Sequence, residues 1–419
     1  MLSTKFQEPF RELVSDSLPF KYLIKITKQD HLIVFTKMKN IETRKIYIDN
    51  LKIFLVTLVM LLHIAVTYGP IGFWYYYERT GLLSTYLLGF FVSFNQAFLL
   101  GLFLMISAYF IIPSYDRKGP ELFIRDKFRR LGIPLLFYII IIGPFLIYIQ
   151  KLFIAKEKVS FLYFYYNFII KNIIIEAGPL WFLQALLILS IFYILLTEII
   201  KKVLKKKAAF EKKGSDFPQN YKIILFIISL AIVTFLVRIR FPIETSIINL
   251  QLCFLPQYVS LFILGIFAYR NNWFEKITYK KAVFWLSVLA FTTLLWPVLL
   301  FFSGTFKEAD ITLIAGGFRW QAFLYAFWEA IIVTSVSISI IYLFKKKLNC
   351  QNNLFTSLYK SAYTVFIIHP LIIVPLSYCI KELETHPLIK FSAVAIIGIP
   401  LTFLMGNIIR KIPFLKRIL

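Results

Sequence analysis

The chain has 419 residues, of which 59% are hydrophobic and 18% aromatic while only 16% are charged, at a mean hydropathy of +0.74. No water-soluble core needs that much apolar surface, so the composition is that of a polytopic membrane protein. A net charge of +25 raises the question of nucleic acid, but the basic residues fall between apolar runs of spanning length and report topology instead; no nucleic-acid partner is expected.

Residues 1–44 have mixed polarity and no continuous apolar stretch, which reads as a cytoplasmic extension and not as a cleaved leader or a span. Met38 is an alternative start, because MKNIETRKIYIDN is a normal short basic lead-in to the first span. A membrane domain follows at 45–410, and a basic tail closes the chain at 411–419. Ten spans are expected within it, at about 47–68, 84–112, 131–150, 180–200, 221–239, 250–270, 283–303, 322–344, 363–380 and 388–409. With the N-terminus inside, the inner segments hold 35 Lys and Arg against 11 in the outer loops, and Lys52 lies within the first span. That asymmetry places both termini in the cytoplasm. The fold class is thus all-α, with about ten transmembrane helices.

The first span, YIDNLKIFLVTLVMLLHIAVTYG, carries Lys52 near its inner end and His63 near its outer end. Ionisable groups within hydrocarbon are expensive and mark functional sites by default. Eleven residues are about three turns, so both side chains share one face, roughly 16 Å apart along the axis. The bland alternatives are a lysine that snorkels to the headgroups and a histidine that only joins two helices. The second span holds Asn95, Gln96 and Ser107, residue types that serve packing as readily as chemistry. The inner loop after it concentrates Arg125, Lys127, Arg129 and Arg130 ahead of Pro134; topology alone does not require such a cluster, which would suit a nucleotide phosphate.

Outside, Ser160–Glu176 is aromatic-rich and reads as an interfacial helix. Gly178–Pro179 then breaks the chain before Trp181, whose bland role is an interfacial anchor. The lysine-rich loop Lys201–Lys222 is the strongest inside marker. Gln257 lies in the sixth span, Glu329 in the outer half of the eighth, and Tyr363 and His369 in the ninth, where Pro370 loosens the helix. A carboxylate at the depth of His63 is the natural partner for its imidazole, so Glu329 is expected to orient it. His31 and His386 lie outside the spans and receive no role. Cys253, Cys350 and Cys379 have neither metal-ligand spacing nor a disulfide pattern, and no metal site is expected. No Walker loop, nucleophile elbow or zincin helix is present.

Five segments in order resemble the membrane-bound acyltransferase-3 family over roughly residues 44–410. RKIYIDNLKIFLVTLVMLLH resembles the family's opening motif, in which a basic residue and a histidine are separated by ten residues; the basic residue is usually Arg and here is Lys52. LGLFLMISAYFI resembles its second-span segment at Ser107, and FIRDKFRRLGIPLLF its basic loop, with Lys127 and Arg130 at the paired positions. GPLWFL resembles its segment around Trp181, and SAYTVFIIHPLII its late span with Tyr363 and His369.

The resemblance implies transfer of an acyl group, acetyl or succinyl, from cytoplasmic acyl-CoA to a hydroxyl of an extracytoplasmic glycan or related acceptor, as in polysaccharide O-acetyltransferases and the protein that succinylates periplasmic glucans. It implies an enzyme of the inner membrane with acyl-CoA as co-substrate and no permanently bound cofactor. His63 is then the general base with Glu329 beside it. Lys52, Lys127 and Arg130 meet the CoA phosphates, and Ser107, Trp181, Tyr363 and His369 line the substrate channel. The rival reading is a transporter or flippase for a lipid-linked saccharide, since intramembrane His, Lys and Glu also mark transport pathways.

Overall fold

The computed structural model describes residues 44–69, 74–78, 81–155, 159–171, 176–204, 214–243, 245–302, 304, 312–415 and 418. The N-terminal extension, with Met38 and His31, lies outside the described residues. Among the described residues nine helices are long and apolar enough to cross a membrane. Hydrocarbon offers no partner for backbone N–H and C=O groups, so these apolar runs close their hydrogen bonds within the helix. The helices are α1 (Ile46–Tyr68), α2 (Leu82–Lys127), α3 (Ile133–Phe137), α4 (Gly143–Gln150), α5 (Phe161–Tyr165), α6 (Trp181–Leu204), α7 (Asn220–Arg240), α8 (Leu255–Asn271), α9 (Trp273–Lys276), α10 (Tyr279–Phe302), α11 (Thr312–Ala315), α12 (Trp320–Lys347), α13 (Asn353–Cys379) and α14 (Pro387–Ile409).

One apolar helical stretch, Leu82–Phe153, runs for 72 residues, far beyond the roughly 20 that one crossing needs. It is two crossings. Gly119 leaves the helical region at φ 72° with Pro120 beside it, and the polar connection 113–130 lies between the two apolar halves. The described bundle therefore makes ten crossings, as expected from the sequence. Beyond that connection α3 and α4 alternate with π-helical turns at Phe128–Gly132, Tyr138–Ile142 and Lys151–Ala155. Pro134 and Pro144 sit in the first turns of α3 and α4, where a missing N–H lets the hydrogen-bond ladder slip by one residue.

The expected interfacial segment is helical over 161–171: Ser160 caps α5 by accepting from the Tyr163 N–H, and Leu162, Tyr163 and Tyr166 are exposed. The expected sixth span starts later than its apolar run suggests. A two-stranded hairpin, β1 (Ser246–Ile247) and β2 (Leu250–Gln251), precedes α8, with Ile248 and Asn249 turning it at positive φ.

Packing puts α1 at the centre, in contact with α2, α12, α13 and α14. Its apolar window is 67% buried, like those of α12 and α13, whereas α10 buries only 11% and belongs to the periphery. α2 and α8 approach so closely that a Cβ at Gly265 would lie 2.2 Å from the Met105 carbonyl oxygen, the small-residue contact by which membrane helices gain dispersion energy. The N-terminal end of α1 is tied to the α12–α13 connection, where the Asn50 amide donates to the carbonyls of Leu348 (2.7 Å) and Cys350 (2.8 Å). α1 and α13 run parallel, since Lys52 lies near Tyr359 and His63 meets His369.

Candidate active site

The site begins with a proline. Pro370 has no N–H, so the carbonyl of Phe366, four residues earlier, loses its helical donor. The His369 ring takes it, with Nδ1 at 2.8 Å from that oxygen. A carbonyl only accepts, so the proton is on Nδ1, and His369 Nε2 is left as an acceptor. His63 Nδ1 lies 3.1 Å from it and is the donor. By the same logic the neutral His63 ring carries its proton on Nδ1, and Nε2 keeps a free lone pair. The dipeptide His-Pro on α13 thus sets the tautomer of a histidine on α1 through two hydrogen bonds.

Aromatic packing holds the pair. Trp74, buried in the loop after α1, stacks on His63 at 4.1 Å between ring centroids and 15° between planes, and lies near-parallel to His369 at 6.0 Å. His369 is fully buried and His63 half-buried. His63 lines a cavity of about 170 Å³ together with Gln96, Trp181, Gln251, Phe254 and Phe366. Trp181 is held against the Tyr258 ring at 5.6 Å. The turn that delivers it depends on Gly178, which sits at φ 46°; a Cβ there would fall 2.5 Å from the Tyr75 hydroxyl and 2.6 Å from that of Tyr138. Those two hydroxyls are themselves hydrogen-bonded at 2.8 Å.

Of the residues expected from the sequence, His63 and Trp181 come together at this cavity, and His369 stands behind His63 as its hydrogen-bond partner. Glu329 does not join them. Its carboxylate pairs with Arg238 on α7 at 2.5 Å, both side chains being buried, beside Gln257, whose amide donates to the Ala97 carbonyl at 2.6 Å. The expectation that Glu329 orients His63 is corrected here: an unpaired buried arginine one helix away is a stronger claimant for a carboxylate than a neutral imidazole, because leaving it uncompensated costs several kcal/mol. Ser107 is half-buried on α2 and does not line the cavity. Of the neighbouring pair on α2, Asn95 is spent on the Phe91 carbonyl at 2.8 Å, and Gln96 faces the cavity.

A second group gathers at the other end of α1. The Lys52 ammonium lies 4.5 Å from the centre of the Phe110 ring and 5.9 Å from that of Tyr359, with Asp49 at 3.9 Å. One turn beyond Tyr359, the Tyr363 hydroxyl donates to the Arg130 backbone carbonyl. This draws the basic connection toward α13 and places Tyr363 here, away from His63. Arg130 and Lys118 share Asp126, at 3.2 and 2.7 Å, so one carboxylate offsets part of the basic cluster. Lys127 lies over the Phe123 ring at 5.2 Å, and burial pulls its ammonium down to about 8.

Sequence reasoning missed Trp74 and Arg238. Trp74 stands in the aromatic loop after α1, where an interfacial anchor is the default explanation. Arg238 lies at the very end of the apolar run 221–239, where it passes for a loop charge, although an arginine inside that run carries the same signal as Lys52.

An acyltransferase-domain family model matches residues 45–407. No curated protein and no solved structure matches the chain.

Proposed function

The chain belongs to the acyltransferase-3 family and is a multi-pass membrane acyltransferase, and we propose that it moves an acetyl or succinyl group from cytoplasmic acyl-CoA to a hydroxyl of an extracytoplasmic glycan or related acceptor. In this reading the enzyme sits in the inner membrane with both termini in the cytoplasm. The Lys52, Lys127 and Arg130 end faces the CoA phosphates, which cationic side chains grip, and the pantetheine arm follows α1 toward His63. Nε2 of His63 takes the proton of the acceptor hydroxyl as its oxygen attacks the thioester carbonyl. The carbon–sulfur bond breaks, and the CoA thiolate leaves with the proton returned from His63. The His63 imidazolium formed in between is stabilised by His369 Nε2, which is polarised in turn by the Phe366 carbonyl. Gln96 and Trp181 supply the N–H donors on the cavity wall for the developing oxyanion.

The observation that carries this reading is the Phe366–His369–His63 chain of hydrogen bonds, because it presents a neutral imidazole with one free nitrogen at a cavity. A purely structural histidine pair would not need that tautomer held from both sides. The test is transfer from radiolabelled acetyl- and succinyl-CoA to cell-envelope glycan in membranes carrying wild type or His63→Ala at matched expression. Label that depends on His63 is the expected result. Equal labelling by the two proteins would remove the base assignment, and no labelling together with no CoA-dependent thermal shift would remove the CoA-dependent reading.

A further inference from the structure

Beside the histidine cavity lies a larger one of about 400 Å³. The two share Val92, Gln96, Ile243 and Phe254 as walls, so they are adjoining chambers of one space on the end of the bundle where His63 lies. The larger chamber adds Ser93 from α2, Tyr325 from α12 and the Gly316–Gly317 turn. That turn is fixed in place: the Gly317 N–H donates to the Arg238 carbonyl at 3.1 Å, and a Cβ at Gly316 would lie 2.5 Å from the same oxygen. Residue 317 presents no side chain to the space, and a Cβ built there meets nothing within 4 Å.

Among its described lining residues the charges on this chamber have one sign. Arg319 is the charged side chain among its described lining residues, and that set contains no carboxylate. Arg319 is exposed and also precedes α12, whose first N–H groups have no side-chain cap; both features favour an anion at the same spot. Deeper in the protein, the Glu329 carboxylate is already neutralised by Arg238. The remaining walls include Phe254 and Tyr325, buried rings over which the Arg238 guanidinium lies, and the short polar groups Ser93 and Gln96, which suit the hydroxyls of a sugar ring.

We propose that this chamber is the acceptor site and that it selects an anionic saccharide, whose carboxylate or phosphate is held by Arg319 while a ring hydroxyl reaches toward His63. The inference rests on the acyltransferase reading for the last clause only; binding itself needs no turnover.

Purified protein in detergent is titrated calorimetrically with three probes: a uronic-acid tetrasaccharide, a glycerol-phosphate oligomer and a neutral glucose tetrasaccharide, with wild type, Arg319→Gln and His63→Ala. At least one anionic probe binds wild type more tightly than the neutral one, and which it is separates a carboxylate from a phosphate acceptor. Arg319→Gln weakens that probe about tenfold, the loss of one charge-assisted hydrogen bond, and leaves the neutral probe and the CoA-dependent thermal shift unchanged. His63→Ala retains the binding. Equal affinity for all three probes, or an anionic preference that survives Arg319→Gln, overturns the proposal. Binding without any CoA-dependent transfer would count against the enzymatic reading and leave the anion site standing.

Discussion

Replacing His369 by Phe removes the acceptor for His63 Nδ1 while keeping a ring of similar size under Trp74. In wild type, His369 Nε2 lies 3.1 Å from His63 Nδ1 and its own Nδ1 is anchored at 2.8 Å to the Phe366 carbonyl. When His63 becomes an imidazolium, this bond acquires charge, and a hydrogen bond to a charged group is worth about 1.5–3 kcal/mol. If that stabilisation is felt mainly in the transition state, kcat falls by roughly 10- to 150-fold. KM for acyl-CoA should hold, since the basic cluster lies at the other end of α1. The assay is release of free CoA thiol by purified protein at saturating donor and acceptor. His369→Gln, whose side-chain oxygen reaches near the position of Nε2, recovers part of the rate. In the His63→Ala background, His369→Phe costs nothing further, because the two act as one unit. A His369→Phe enzyme within threefold of wild type, or one whose loss is entirely in KM, refutes the relay.

Three other outcomes follow from the same geometry. Lys127 loses its proton as pH rises through about 8, so its attraction for phosphate is present below that pH and fades above it; KM for acyl-CoA should climb across pH 7–9, and Lys127→Arg should flatten that climb. Breaking the Arg238–Glu329 pair with Glu329→Leu alone leaves a buried arginine uncompensated and lowers stability by about 3–5 kcal/mol, read as a reduced midpoint in a detergent thermal melt. Adding Arg238→Met should restore most of it, with kcat near wild type in the double variant; a kcat loss as large as that of His63→Ala would return Glu329 to the active site. Gly178→Ala forces a Cβ against the Tyr75 and Tyr138 hydroxyls at a positive φ, a strain of about 1–3 kcal/mol, and should depress both the melt and the rate by displacing Trp181. An unchanged melt would mean that the turn relaxes freely.

These tests turn on partners, and partners were the least legible part of the chain. The spacing of Lys52 and His63 put both on one face of α1, and α13 indeed meets that face, with Tyr359 near one and His369 against the other. What the spacing could not say was which helix would face it. Glu329 is expected in the outer half of its span, at the depth of His63, and a carboxylate is the natural partner for an imidazole. The structure decides by rotation: α12 turns Glu329 toward α7 and Arg238, and α13 brings His369 to His63. Trp74 could be placed by no pattern at all, since it packs on the pair from a connecting loop.

Apolar runs of spanning length, the alternation of basic connections and the ionisable exceptions within the runs determine by themselves that this chain is a helical membrane protein, and that His63 is worth explaining. Each is a local property, settled by the transfer of a segment into hydrocarbon. Only the tertiary structure decides the histidine pair, the ion pair and the joined cavities. A membrane helix is apolar on the side that meets lipid and on the side that meets protein, so it carries no amphipathic stripe to announce its facing; close packing of small residues and the pairing of the few buried polar groups choose the rotation, and both require the neighbours to be in place.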